Sequence, residues 1–160
     1  MKDYEALLVA LRQITRAIDL HSRQLLKETG LTTSQLLILD AITRQAVATP
    51  TSIARDIHLS QATVTNIVVR LEKNGLVERH RSGNDRRSVQ LTITGQGQRI
   101  IDAAPEMLQA DFLKQYRELQ PWEANLLLSA LQRLATMMHA EKLDVSPILA
   151  VGEIGEESGG

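Results

Sequence analysis

Apolar residues recur at helical spacing from the start of the chain. Leu7, Leu11, Ile14, Ile18, His21 and Leu25 follow at steps of three and four. That spacing predicts one long helix over residues 3–29, with a seam close to a heptad repeat. Gly30 is placed to end it. Thr32 with Gln35 three positions on forms a capping box for a second helix, whose inner face is Leu36, Leu39, Ile42 and neighbours and whose pattern fades by Ala48. Thr49 and Pro50 open a short third helix to about residue 58, because proline fits a first turn whose N–H groups have no helical partner. Ser60 caps a fourth, over residues 61–74, with Val64, Ile67, Val68 and Leu71 inward and Gly75 as its stop.

After Gly75 the period changes from about 3.6 to 2, so residues 76–81 and 88–93 read as two short strands around a polar loop, 82–87. Thr94 caps a helix expected to run to residue 119, kinked at Pro105. A last helix is expected over 121–143, striped by Leu127, Leu131, Leu134 and Met138. The tail, 144–160, holds a short apolar patch (Ile148, Leu149, Val151, Ile154) and a polar end that reads as disordered. No internal repeat is visible. The predicted fold is mainly α with a small β-hairpin: a winged helix-turn-helix over 31–94, flanked by a helix at 1–30, helices at 95–143 and an acidic tail at 144–160.

Two short helices and a hairpin place the second of those helices as the one that enters a DNA major groove. The face opposite Val64 and Leu71 then presents Ala62, Thr63, Asn66, Arg70 and Lys73. Its N-terminal end, from Ser60 and Gln61, carries groups suited to base edges: an amide can pair with adenine, and Ala or a Thr methyl can meet thymine's methyl. Its C-terminal end is basic, which suits phosphates.

Net charge is −1, which by itself argues against a nucleic-acid partner, but the charge is segregated. Residues 70–90 hold six basic residues against three acids, net +3, and residues 141–160 hold one against five, net −4. A local basic patch is what phosphate binding needs. Within it, Asp85 stands beside Arg86 and Arg87. Its carboxylate can lock an arginine's orientation, and an arginine on a hairpin tip can enter a narrow minor groove. The plainer alternative is a solvated turn with a local ion pair.

The ordered set of these pieces resembles the MarR family of bacterial transcription regulators. It comprises Gly30-Leu31-Thr32, Gln35, the run Pro50 to Thr65, Arg70-Leu71-Glu72, the run Gly75 to Arg79, Asp85-Arg86-Arg87, and Leu91 to Thr94 with Gly97. The resemblance covers about residues 7–139. It implies an obligate homodimer on double-stranded DNA, with the N-terminal helix and last two helices forming the dimerisation region. One groove helix and one wing per subunit would meet a pseudo-palindromic site. The second arginine of the D-x-R motif, here Arg87, would reach the minor groove. Asn66 carries an amide where relatives are often basic. The expected DNA-contacting set is Thr51, Ser60, Gln61, Ala62, Thr63, Thr65, Asn66, Arg70, Lys73, Asp85, Arg86 and Arg87. The N-terminal helix and the segment 146–153 further resemble MarR-type repressors of ectoine (compatible-solute) synthesis genes, which implies an osmotic signal.

Other classes fare worse. A chain of 160 residues, 43% hydrophobic, can build a core without disulfides or metals, and it has no cysteine for thiol chemistry. His21, His58, His80 and His139 are too scattered to pair as metal ligands, so no metal and no cofactor is expected. Ser60 is explained as a cap, not a nucleophile, and an enzyme is not expected. No apolar run is long enough to span a membrane and no signal peptide opens the chain, so the cytoplasm is the expected location. A repressor is expected, with an activator of the same fold or a non-DNA-binding dimeric adaptor as alternatives. His21 interrupts an apolar stripe. It is either a core histidine with a satisfied hydrogen bond or, with Arg16, a polar anchor of a small-molecule effector pocket. Trp122 is read as dimer packing.

Overall fold

The computed structural model describes residues 2–82, 85–104 and 109–140, with side chains at 2–81, 88–104 and 111–140. The tail from 141 onward and Pro105 lie outside them. The chain divides between Pro105 and Glu106 into two compact units.

The first unit opens with α1 (Asp3–Thr29), which stops at Gly30 in the left-handed conformation, φ 73°. Its Cβ-free backbone makes that turn without strain, and its N–H bonds the Leu26 carbonyl. α2 (Thr33–Arg44) is fixed by the reciprocal box: Gln35 N–H to Thr32 Oγ1, 3.3 Å, and Thr32 N–H to Gln35 Oε1, 2.9 Å. α2 is the hub. It meets α1, α3, α4, α5 and β2, and buries Leu36, Ile38, Leu39, Ala41 and Ile42. A helix surrounded on most sides buries more than one stripe, so Ile38 and Ala41 join the core beside the expected face.

α2 ends at Arg44, and the segment after it leaves helical geometry to bridge to the hairpin. Leu91 donates its N–H to the Ala48 carbonyl at 2.8 Å. α3 (Pro50–Ile57) and α4 (Gln61–Lys73) follow, then β1 (Val77–Ser82) and β2 (Asp85–Ile93), an antiparallel pair. β2 starts three residues before the apolar alternation shows it. Asp85, Arg86 and Arg87 hold no apolar residue, so no period-2 signal marks them, yet Asp85 is backed by Ser82 across the hairpin. The six-residue polar loop is therefore shorter than expected.

The expected helix from Thr94 to residue 119 is broken, not kinked. α5 (Gly95–Ala103) ends where Ala104 is extended, ψ 134°, and α6 (Gln109–Arg117) is a separate helix. A residue before proline is driven out of the helical region by the ring, which accounts for Ala104. In the second unit α6 is followed by α7 (Pro121–Met137), which is shorter than its apolar pattern because His139 turns left-handed, φ 54°. α7 buries none of its residues; Trp122, Leu126, Leu127, Leu128 and Leu131 all stand exposed.

Candidate nucleic-acid interface

The starts of α3 and α4 and the turn between them are built from local hydrogen bonds. Thr49 Oγ1 accepts the Ser52 N–H (3.0 Å) while Ser52 Oγ accepts the Thr49 N–H (2.9 Å), so α3 begins at Pro50. It ends at His58, whose left-handed φ of 57° reverses the chain, with the Leu59 N–H held by the Ala54 carbonyl. Ser60 Oγ accepts the Thr63 N–H at 3.1 Å and starts α4. Each such cap contributes about 1 kcal/mol, so the short helices rest on their ends as well as on burial of Ile53 and Ala54.

α4 is anchored by Val64, Val68 and Leu71, all buried, while Ile67 is half-buried. At about 100° per residue, the direction opposite that stripe belongs to Ala62, Asn66, Val69 and Lys73, and all four are exposed. Gln61, Thr65 and Glu72 share one flank, and Thr63 and Arg70 share the other. Thr51 is exposed at the start of α3. Ser60 and Thr63 are engaged with each other, hydroxyl to hydroxyl at 2.7 Å, so either would meet DNA while still serving the cap. Asp85, Arg86 and Arg87 lie at the start of β2, next to the hairpin tip; their side chains are outside the described set.

Two ion pairs tie these elements together. Arg44 reaches from α2 to Asp40 (2.8 Å) and across to Asp56 on α3 (3.0 Å). The hydrogen bond to Asp40 holds its guanidinium above its ordinary pKa against the opposing effect of burial, with Asp56 adding to the rise. Arg79 on β1 meets Glu72 on α4 at 2.6 Å. Between α3, α4 and the hairpin lies a depression of about 340 Å³, lined by Pro50, Thr51, Gln61, Thr65, Arg79 and Ser88 among others.

The MarR family model matches residues 31–89, the whole of this helix-turn-helix and most of its wing. The helix-turn-helix transcriptional regulator YwhA of Bacillus subtilis is 30% identical over 98 residues, 61% of this chain and 70% of that one. The chain belongs to the MarR family. That family is one of transcription regulators, not enzymes. YsmB of Bacillus subtilis, another regulator of this kind, is 30% identical over 92 residues, and the match spans 58% of this chain and 63% of YsmB. Among solved structures, the S. aureus MepR–DNA complex superposes with TM-score 0.63 at 20% identity, covering 81% of this chain and 96% of that one. The organohalide-sensing regulator RdhR-CbdbA1625 bound to 2,4-dichlorophenol superposes at 0.61 with 22% identity, covering 86% and 82%. At such identities the likeness is one of fold: the mainly helical winged helix-turn-helix with a two-stranded hairpin.

On this MarR fold the residues singled out on α1 do not meet as a pair. Arg16 is largely exposed and bound to Asp19 at 3.0 Å. His21, five positions on, points about 140° away around the helix and is half-buried. Other residues escaped the sequence reading. Val69 is 45% exposed in the middle of the outward face of α4, an apolar group where a thymine methyl could be met. Arg55 is exposed one turn after Thr51 on α3. Helical spacing alone marks both. The Glu72–Arg79 contact has no such signal, since it depends on where the hairpin lies. Among the described residues no helix is long and apolar enough to cross a membrane, and no three of His, Asp or Glu gather as a metal site.

Proposed function

We propose that this MarR-family chain is a cytoplasmic, homodimeric repressor that binds a pseudo-palindromic operator. α4 lies in the major groove and the hairpin in the adjacent minor groove. The observation that carries this reading is the outward face of α4: Ala62, Asn66, Val69 and Lys73 stand exposed beside a braced hairpin, opposite a buried Val64-Val68-Leu71 stripe. Gln61, Thr63, Thr65 and Asn66 read bases. Thr51, Ser60, Arg70, Lys73 and Arg86 hold phosphates, and Arg87 enters the minor groove with Asp85 orienting it. A solved relative of this fold carries DNA.

Dimerisation uses α1 and the helices after residue 95. Leu7 and Ile14 on α1 and Leu127 and Leu131 on α7 are apolar and exposed in the single chain, which fits faces that a second copy covers. A small organic effector or an osmotic signal releases the DNA, with Arg16 and His21 in the region it reaches; one relative of this fold holds 2,4-dichlorophenol. The resemblance of the N-terminal helix and of residues 146–153 supports ectoine (compatible-solute) synthesis genes as targets.

Genome-wide mapping of bound sites tests the reading. A recurring inverted repeat upstream of a small set of genes, derepressed when this gene is deleted, is the expected result. Lower expression on deletion would make the protein an activator, and no enriched site would make it an adaptor.

A further inference from the structure

Glu72 is an acid on the helix proposed to enter DNA, and net charge alone makes it unfavourable there. It shares the flank of α4 with Gln61 and Thr65, not the outward face. Its carboxylate meets the Arg79 guanidinium of β1 at 2.6 Å. Arg79 pairs across the hairpin with Leu91, and Leu91 is buried and bridged to Ala48. Val77, two residues earlier on the same strand face, is buried as well. The base of the hairpin is thus clamped by apolar contacts, and Arg79 is where it is tied by charge to the groove helix. From Arg79 to the end of β1 at Ser82 is three residues, a lever of about 10 Å at strand rise. A small tilt at Arg79 is carried outward to the tip, where Arg87 must enter a groove only about 6 Å wide.

We infer that Glu72 and Arg79 are positioning residues that brace the wing against the groove helix, so that both elements meet one half-site in register. This rests on the DNA-binding reading above. The two side chains are 36% and 41% exposed, and an ion pair so solvated adds little to folding stability. Its effect appears on DNA instead.

The test uses the full-length dimer, an operator duplex recovered by the mapping and a random duplex of equal length, with fluorescence anisotropy over a series of KCl concentrations. Glu72→Gln should weaken operator binding about five- to tenfold although it removes a negative charge, and Arg79→Gln should do the same. The double variant should be no weaker than either single one. Exchanging the charges, Glu72→Arg with Arg79→Glu, should recover most of the loss, which a merely space-filling role would not. The salt slope should stay that of the wild type. Tighter binding by Glu72→Gln would overturn the inference. So would a slope shallower by about 1.8 per dimer in Arg79→Gln, since that marks a direct phosphate contact in each subunit. Additive losses, or no recovery on charge exchange, would overturn it too. If the wild type does not prefer the operator over random DNA, the DNA-binding reading fails first; if it does and the variants match it, only the brace fails. Thermal melts by circular dichroism should stay within a few degrees of wild type for all variants. A larger fall in any of them would show a structural role and overturn the inference.

Discussion

The carbonyl oxygen of Leu76 occupies the space that a β-carbon on Gly97 would need. The two backbones approach this closely because Thr94 draws them together. Its N–H bonds the Leu76 carbonyl at 3.0 Å, its hydroxyl donates to the Gly75 carbonyl at 2.7 Å, and that hydroxyl accepts the Gly97 N–H at 3.1 Å. The turn that ends α4 is thereby fastened to the first turn of α5.

Gly97→Ala should therefore destabilise the fold by about 1–3 kcal/mol, the range for forcing atoms into a filled site. Thr94→Val, which keeps the shape but removes the hydroxyl, should cost about 1 kcal/mol through the lost cap. Urea unfolding at fixed protein concentration measures both. A Gly97→Ala midpoint equal to wild type would mean the approach of α5 to Leu76 is wrong.

Ser60→Ala separates cap from contact. Loss of the Thr63 N–H bond should lower stability by about 1 kcal/mol with or without DNA present. A variant that unfolds at the wild-type urea concentration would show that the Ser60 hydroxyl does not stabilise the start of α4, whatever its effect on DNA binding.

The contacts on DNA should divide by their salt behaviour. If Lys73 holds a phosphate as proposed, Lys73→Ala should weaken operator and random duplexes alike and flatten the slope of log K against log salt by about 0.9 per subunit. Asn66→Ala should cost about 1–3 kcal/mol per half-site on the operator alone, with the slope little changed. Asp85→Ala should mimic Arg87→Ala if, as proposed, the carboxylate orients that arginine. Tighter binding by Asp85→Ala would remove the wing from the model of recognition.

Assembly should respond to the exposed leucines of α7. Sedimentation of the wild type at low micromolar concentration should show a dimer whose melting temperature rises with protein concentration. Leu131→Glu places a charge beside Leu127 and Leu128 and should shift the population to monomer. A folded wild-type monomer at that concentration contradicts the assignment of these helices.

Much of the first unit was legible because its signals are local. Gly30, Thr32 with Gln35, Thr49 with Pro50, and Ser60 each act on a backbone group within four residues of themselves, and α1 to α4 start or stop there. The inward positions Val64, Val68 and Leu71 follow from the turn of the helix alone. The outward face of α4, with Ala62, Asn66 and Lys73, follows as the remainder. The break after Ala103 was also written locally, in the Ala104-Pro105 pair, but a kink and a stop share that signal.

What tertiary structure decided joins residues that no short window contains. Ala48 pairs with Leu91, 43 positions on, and so ends what the pattern leaves as a fading helix. Arg44 chooses Asp56 as well as its near neighbour Asp40, and Glu72 acquires Arg79, once α3 and the hairpin are packed against the same hub helix. Caps and periodicity are properties of the backbone turn itself, whereas these pairings arise from where the buried faces of separate elements bring their edges together.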